Sequence, residues 1–257
     1  MQPNVLGETL SPSQCRTYLD CSWRYWARYG LGLSDPPNAN MVRGKVVHRM
    51  AEEYFRSTLA GARPEVDEMG ESFEQIWDEA CADALFEPND DVDALKRQSA
   101  ALSRKYLEEA APEIEPVAME LPVSGEIGGV RINGIVDLLD ASGRIVDLKA
   151  PKRTPGGLDA SYAFQMATYA QLTPGATGEV RVDYVVATKT PNLVTIGYRV
   201  SDADVRMTET MYPAVQQAIR DGRFLPNRGS TNCSKRNCPA WRECTDTWGG
   251  NVKGTEE

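Results

Sequence analysis

Two carboxylates and a lysine, Asp137, Asp147 and Lys149, fall within the short stretch of residues 134–150. This stretch has the pattern of two short apolar strands joined by a turn at residues 141–143, which predicts that all three side chains lie at one end of a hairpin. Asp147 and Lys149 are two residues apart, so they share one face of their strand. Paired carboxylates suit Mg²⁺ or Mn²⁺, and a lysine beside such an ion can stabilise charge that develops on a phosphate. The three residues are those that metal-dependent phosphodiester cleavage requires.

A purely structural role for the same residues is as well supported at this point as a catalytic one. An Asp-x-Lys pair can be a solvated ion pair of little energetic consequence. However, Ile145, Val146 and Leu148 make this strand apolar on both faces, which is typical of a buried strand. Charged side chains on a buried strand need a compensating partner or a function. The hairpin alone leaves both interpretations open.

Three further side chains belong to predicted helices. His48, the only histidine, lies in the second helix, where a neutral imidazole could supply a nitrogen ligand to the same metal ion. A lone helical histidine is more often a surface residue or a packed core residue. Gln165 and Tyr169 are four residues apart on the helix that follows the hairpin and therefore share a face, which ordinary packing explains equally well.

The cysteines form a second chemical feature. Three thiols fall within twelve residues near the C-terminus: Cys233, Cys238 and Cys244. Such spacing lets a loop wrap around a soft metal ion or a cluster, but tetrahedral zinc and iron–sulphur clusters take four ligands. Cys15 and Cys81 lie in apolar helical patterns that favour burial. Cys21, near the end of the first helix, is therefore the better candidate for the fourth ligand.

The whole chain has the composition of a globular protein, with 257 residues, a formal net charge of −9 and no apolar run long enough to span a bilayer. The N-terminus lacks the pattern of a signal peptide, so we expect a cytoplasmic protein without a disulfide framework. The acidic residues concentrate in residues 65–93, whereas residues 215–244 carry a modest basic patch. Charge alone does not establish a nucleic-acid partner.

The periodicity of apolar residues predicts an α/β fold with helices first. A helix begins at Ser11-Pro12, and others cover about 41–59, the acidic segment and 93–110. Strands are predicted at 117–123, 130–139, 144–148, 180–187 and 193–200, with helices at about 159–172 and 201–219. We predict one domain over residues 1–248, with a helical portion over about 41–112, a catalytic core over about 115–221 and a disordered tail over 249–257.

These features occur together, and in the same order, in a known family. The stretches SPSQCRTYLDCSWRYWARYG, GKVVH, GIVD…VDLKA, Q-x-x-x-Y and the terminal cysteine trio resemble those of the RecB-type PD-(D/E)XK nucleases. The similarity is greatest to the branch that carries an iron–sulphur cluster, which includes AddB-type helicase-nuclease domains, the CRISPR adaptation exonuclease and related phage-borne exonucleases. The resemblance implies a restriction-endonuclease-like core, in which helices flank a central mixed sheet, followed by a cysteine-rich clasp.

The resemblance also implies roles for individual residues of the catalytic site. Lys149 would be the catalytic lysine, and Glu120 on the preceding strand is a further candidate for the site. The ligands of Mg²⁺ or Mn²⁺ would be the carboxylates of Asp137 and Asp147, the backbone carbonyl of Leu148, and His48. Gln165 and Tyr169 would support the active site and the DNA strand. The first acidic motif is Ile-Val-Asp rather than Pro-Asp, as is common in this branch.

For the cysteines, the resemblance implies a [4Fe–4S] cluster that joins two distant parts of the chain. Its ligands would be Cys21, Cys233, Cys238 and Cys244, so that the clasp at 233–244 pairs with Cys21. Four residues separate Cys233 from Cys238 where the family usually has two. That departure leaves the type of cluster open, with zinc as the alternative.

The implied activity is that of a metal-dependent DNA exonuclease acting at ends or on single strands, in recombination, repair or phage DNA metabolism. An endonuclease and a DNA-binding subunit without activity of its own are the alternatives. The sequence has no Walker phosphate loop, so any unwinding would come from a helicase or recombinase partner. DNA is the expected partner, and no membrane is involved.

Overall fold

The computed structural model describes residues 6–34 and 37–254. Contacts divide the chain into two compact units, although we predicted a single domain. The first, which we call the cysteine unit, comprises Met1–Asp35, Ser124–Gly134 and Asp202–Glu257. The second, the sheet unit, comprises Pro36–Val123 and Ile135–Ser201. The predicted domain boundaries stay a prediction.

The sheet unit begins with three helices: α3 (Ala39–Leu59), α4 (Gly70–Cys81) and α5 (Val92–Glu109). The Asn38 side chain starts α3 by accepting hydrogen bonds from the backbone N–H groups of Asn40 and Met41. The buried face of α3 includes Val42, Val46 and Met50, the spacing that predicted this helix from sequence. This face packs against α4 and α5.

The sheet explains how the strand that carries Asp147 and Lys149 is placed. Its strands are β2 (Pro116–Ile127), β3 (Val130–Asp140), β4 (Ile145–Lys149), β5 (Glu179–Val186) and β6 (Asn192–Arg199). With β1 (Thr9–Leu10) they form one mixed sheet in which β2 pairs with β3 and the remaining order is β1-β3-β4-β5-β6. The α/β fold with a mixed, helix-flanked sheet is thus confirmed.

Strand β4 lies in the middle of this order. It runs antiparallel to β3 and parallel to β5. A parallel pair needs a crossover, and helix α6 (Ala160–Leu172) supplies it between β4 and β5. Val146 and Leu148 belong to the same apolar core as residues of α3 and α5, whereas Ile145 packs with Met166 of α6. The strand is therefore apolar on both faces, as its sequence predicted.

The cysteine unit contains helices α1 (Pro12–Asp20), α2 (Ser22–Tyr25), α7 (Asp202–Arg220) and α8 (Trp241–Trp248), with a π-helical turn at Trp26–Gly30. Ser11 and Gln14 form a reciprocal capping box at the start of α1, where Pro12 is the first helical residue. Strand β1 pairs in parallel with the beginning of β3. The predicted helix start at Ser11-Pro12 is confirmed.

Residues 249–254 of the C-terminal tail, which we predicted to be disordered, make defined contacts in the structure. The backbone N–H of Lys235 donates to the carbonyl of Lys253 at 2.9 Å, and Val252 is only 2% exposed. An apolar side chain buried against the cysteine-rich segment gives the tail a fixed position, which its polar composition did not predict. Residues 255–257 lie outside the described residues.

None of the helices in the described part of the chain is both long and apolar enough to cross a membrane.

Candidate functional site

A buried aspartate fixes the turn of the β3–β4 hairpin. Asp140 Oδ1 accepts hydrogen bonds from the backbone N–H groups of Ser142 (3.0 Å) and Arg144 (2.9 Å), and its Oδ2 accepts from Arg144 Nε at 2.9 Å. Burial raises the pKa of Asp140, but a hydrogen bond from the Ser142 hydroxyl, together with the hydrogen bonds and the charge of Arg144, outweighs burial, so the pKa lies below its ordinary value. Gly143 has a φ of +74°, which favours glycine. Asp140 is a structural residue that the sequence interpretation missed.

The hairpin register brings the two candidate carboxylates together. Leu138 pairs with Val146 and Leu139 with Ile145, so Asp137 and Asp147 are the next residues toward the open end. Asp137 Oδ2 accepts a hydrogen bond from the backbone N–H of Leu148 at 3.4 Å. This bond joins the two strands at the point where both carboxylates lie.

Lys149 is paired with Asp147 on the shared strand face that the period of two predicted. Its Nζ forms an ion pair with Asp147, which is 2% exposed, and also donates to the Leu148 carbonyl at 3.3 Å. Burial alone would lower the pKa of Lys149, but the charges of Asp147 and Asp137 outweigh burial and raise it. The ammonium group is therefore held in its charged form at neutral pH.

His48 of α3 approaches the same group of residues. Its Nδ1 lies 3.7 Å from Asp137 Oδ2, and its side chain is 34% exposed. Burial lowers the pKa of His48, as does the positive charge of Lys149, whereas Asp137 and the Leu148 backbone act in the opposite direction. His48, Asp137 and Leu148 line a common pocket in the sheet unit. The imidazole that the sequence placed on a helix thus lies close to Asp137 of the β3–β4 hairpin.

Gln165 and Tyr169 do share a face of α6, and they contact each other. Gln165 Nε2 donates to the Tyr169 hydroxyl at 3.2 Å. Burial raises the pKa of Tyr169, and the negative charges of Asp137 and Asp147 add to that effect. Tyr169 therefore lies close enough to Asp137 and Asp147 for their charges to act on it.

Glu120 lines the same pocket as His48 and Asp137 from strand β2. It is the one non-glycine residue in the described chain with a positive φ, at +45°. Side chains rarely adopt this conformation, and it costs on the order of 1–3 kcal/mol when tertiary structure imposes it. Burial raises the pKa of Glu120, and the nearby carboxylates of Asp137 and Glu52 raise it further.

These properties of Glu120 predict two stabilising substitutions in metal-free buffer. Glu120→Gln removes a repelled charge, so it should raise the melting temperature at neutral pH. That gain should vanish as the pH falls and Glu120 takes up its proton. A carboxyl group whose pKa is raised in the folded state destabilises that state only when the group is ionised. Glu120→Gly also relieves the backbone, which should add about 1 kcal/mol, or roughly 2–4 °C. Thermal melts across pH check both; a glycine variant less stable than the glutamine variant would contradict the backbone argument.

Two further residues lie at the end of strand β4: Arg43, which the sequence interpretation did not single out, and Tyr162, which it placed one turn before Gln165. Arg43 of α3 is 3% exposed, and its Nη2 donates to the carbonyl of Ala150, which follows Lys149, at 3.3 Å. The ring of Tyr162 lies 5.4 Å from Lys149 Nζ, within range of a cation–π interaction. The GKVVH motif directly follows Arg43, but no periodicity in the sequence connects an arginine on α3 with the end of a distant strand.

The four predicted cysteine ligands lie around one pocket of the cysteine unit. Cys21, Cys233, Cys238 and Cys244 all line it. Burial raises the pKa values of Cys238 and Cys244, whereas nearby arginines act to lower them. Cys15 is fully buried within α1, and burial raises its pKa to about 12. Cys81 belongs to α4 of the sheet unit.

Within residues 6–34 and 37–254, no three His, Cys, Asp or Glu side chains are placed where they could jointly hold a metal ion. The cysteines line a common pocket, and His48 and the two aspartates lie together, but their side chains do not yet converge as ligands. Both predicted ligand sets therefore stay predictions.

The fold and the site agree with a match to a family model. Residues 9–245 match the model described as the PD-(D/E)XK nuclease superfamily, so the chain belongs to that superfamily. Among solved structures, the chain is similar to a protein from Eubacterium rectale described as a candidate exonuclease, with 15% sequence identity and a TM-score of 0.60. That similarity covers 97% of this chain and 96% of the other, and it shows the fold alone.

A second solved structure, SSO0001, is 11% identical and covers 85% of this chain and 91% of its own. Its TM-score of 0.36 is too low to support an inference. No curated protein matches the chain.

Proposed function

We propose that this nuclease-superfamily member is a metal-dependent DNA exonuclease that acts at ends or on single strands. The observation that supports the proposal most is the arrangement of Asp137, Asp147 and Lys149 at one end of a buried hairpin, with His48 beside them. Buried charges at this density need a function or a compensating partner. The biological setting we propose is recombination, repair or phage DNA metabolism, with any unwinding supplied by a partner.

The residues that would hold Mg²⁺ or Mn²⁺ are Asp137, Asp147, His48 and the carbonyl of Leu148. Three of these four donors are oxygen groups, as both ions prefer, and the fourth is an imidazole whose lowered pKa keeps it neutral and able to bind. When bound, the ion would activate water and polarise the scissile phosphate.

Lys149 would stabilise charge rather than remove a proton. The charges of Asp147 and Asp137 raise its pKa above the ordinary lysine value, which already keeps the amine protonated at neutral pH. A fixed ammonium group in a water-poor site interacts strongly with a phosphate as negative charge builds up on it. Asp147 holds this group in place, since both side chains are largely buried. Gln165 and Tyr169 would hold the DNA strand from helix α6.

For the cysteine unit we propose a metal centre bound by Cys21, Cys233, Cys238 and Cys244. Four thiols around one pocket match the ligand number of both a [4Fe–4S] cluster and tetrahedral zinc. The cluster is the form that we favour, because of the sequence resemblance, and zinc is the alternative. In either form the centre would tie the region near the N-terminus to the region near the C-terminus.

Three DNA substrates test the proposed activity. Purified protein with Mn²⁺ is incubated with end-labelled linear duplex, end-labelled single strand and covalently closed circular DNA. Stepwise products from labelled ends, with the circle intact, are the expected result. Cleavage of the circle would instead indicate an endonuclease. Binding of all three without cleavage would indicate a DNA-binding subunit.

A substitution of His48 tests its role as a ligand without relying on activity. We expect His48→Ala to weaken Mn²⁺ binding about tenfold or more, because loss of one ligand leaves only oxygen donors in the site. Isothermal titration calorimetry with Mn²⁺ measures the change. Lys45→Ala, an exposed residue of the same helix, is the matched control and should bind Mn²⁺ like the wild type. Equal Mn²⁺ affinities in the His48 variant and the wild type would remove His48 from the ligand set.

A further inference from the structure

The cysteine unit contains three buried N–H groups that have no acceptor among the described residues. They are Trp23 Nε1, Arg24 Nε and Arg228 Nη1. Buried donors are nearly always paired in native proteins. Leaving one unpaired costs roughly 1–3 kcal/mol, and more for a charged group. Three such donors in one region call for an acceptor that the described protein groups do not provide.

Two of the three donors belong to residues that line the cysteine pocket. Trp23 and Arg228 line it together with the four cysteines. Arg24 lies near enough to Cys238 for its charge to lower the pKa of that thiol, against the larger, opposing effect of burial. Arg228 has the same effect on Cys244, again against burial. Two of the unpaired donors therefore lie at the pocket of the four thiols, and the third belongs to Arg24, the neighbour in sequence of the pocket residue Trp23.

Two of these side chains are fixed from outside the pocket. The Trp23 ring packs edge-on against Trp248 of α8 at a centroid distance of 5.8 Å. Arg228 donates through Nη2 to the Gly249 carbonyl, which orients its guanidinium group. A donor that is held in place while unpaired is preorganised for an acceptor that arrives later.

Sulphur is the acceptor that this pocket can offer. A neutral thiol accepts hydrogen bonds weakly, whereas a metal-bound thiolate or an inorganic sulphide carries negative charge and accepts them well. Four thiolates around a zinc dication, or around a [4Fe–4S] core of charge +2, carry two net negative charges. Arg24 and Arg228 carry two positive charges. The donors thus fit a metal–thiolate centre in both hydrogen bonding and charge.

We propose that Trp23, Arg24 and Arg228 form a donor shell that hydrogen-bonds to the sulphur atoms of a metal centre held by Cys21, Cys233, Cys238 and Cys244. This inference rests on the cysteine centre proposed above and adds the residues that neutralise and tune it. Hydrogen bonds to cluster sulphur stabilise the more negative, reduced form, so they raise the reduction potential. With zinc, the same bonds would slow the release of the metal.

Reconstitution of the full chain tests the donor shell. Wild type and variants are treated anaerobically with iron and sulphide, and separately with zinc. Trp23→Phe removes the N–H group and keeps the ring that packs on Trp248, while Arg24→Gln and Arg228→Gln each remove one charge. The matched controls are Arg16→Gln and Arg28→Gln, which change two exposed arginines of the cysteine unit.

The readout is the midpoint potential of the cluster or, for zinc, the rate of transfer to a chromogenic chelator. We expect a more negative potential, or several-fold faster zinc transfer, in the three shell variants and wild-type behaviour in the controls. Wild-type values in the shell variants would overturn the donor shell and leave the cysteine centre standing. A folded wild type that takes up neither metal would overturn both. If an arginine variant fails to fold, Trp23→Phe alone decides the outcome.

Discussion

Replacing Lys149 by methionine should reduce DNA cleavage by a factor of about 10³ or more. Removal of one preorganised group that stabilises charge in a transition state typically costs about 10²–10³ in rate. Lys149 also holds Asp147 in place, so its loss disturbs a predicted metal ligand as well. Lys152→Met is the matched control: this lysine is exposed three residues further along, and its variant should cleave DNA at the wild-type rate.

Stability must be separated from activity in this test. Breaking a buried ion pair by removing one partner costs on the order of 3–5 kcal/mol, so Lys149→Met should lower the melting temperature. In the double variant Asp147→Asn/Lys149→Met both charges are gone, and most of the stability should return while activity stays absent. Circular dichroism melts and single-turnover cleavage with Mn²⁺ measure the two quantities. Cleavage by folded Lys149→Met within tenfold of wild type would exclude Lys149 from the catalytic site.

The second large effect concerns Cys21. Cys21→Ser should abolish metal binding by the cysteine unit and lower the stability of that unit by several kcal/mol. Cys21 and Cys233 are about 210 residues apart in sequence, and a bond that closes so long a loop removes much conformational freedom from the unfolded chain. Elemental analysis, visible absorption and thermal melts of protein purified without oxygen provide the measurements.

A cysteine outside the pocket provides the control for Cys21→Ser. Cys81 lies in α4 of the sheet unit, so Cys81→Ser should keep the full metal content and colour. A brown wild type indicates an iron–sulphur cluster. A colourless protein with one zinc ion per chain would indicate that the four cysteines of the clasp bind zinc instead. Full metal content in Cys21→Ser would show that another residue is the fourth ligand.

The elements that position the site follow from local sequence. Helix α3 was predicted because its apolar residues recur on one face, and strand β4 because Ile145–Leu148 is apolar around a single aspartate. The shared face of Asp147 and Lys149 follows from the period of two in any strand. The approach of Asp137 to Leu148 follows from the hairpin turn, which is short enough to fix the register.

Other features depend on contacts between segments that are far apart in sequence. The crossover through α6 could be anticipated as a helix, but the parallel pairing of β4 with β5 could not. Arg43 contacts the end of β4 because α3 packs on the sheet. Arg228 acts on Cys244 from a loop, where no periodicity in the sequence predicts which residues come together. The positive φ of Glu120 could not be predicted from its residue type, because glycine is the residue expected at such a position.

The Lys149–Asp147 ion pair bears on the order in which a newly made chain matures. Lys149 already balances the charge of Asp147, the most buried carboxylate of the hairpin. The sheet unit can therefore reach its native packing before Mg²⁺ binds. The cysteine pocket has no comparable internal partner, because the buried N–H donors beside it lack an acceptor within the described residues. If the proposed cysteine centre forms, delivery of its metal rather than magnesium supply would set how fast active protein accumulates. A cell starved of that metal would then build up chains with a folded hairpin and a metal-free clasp.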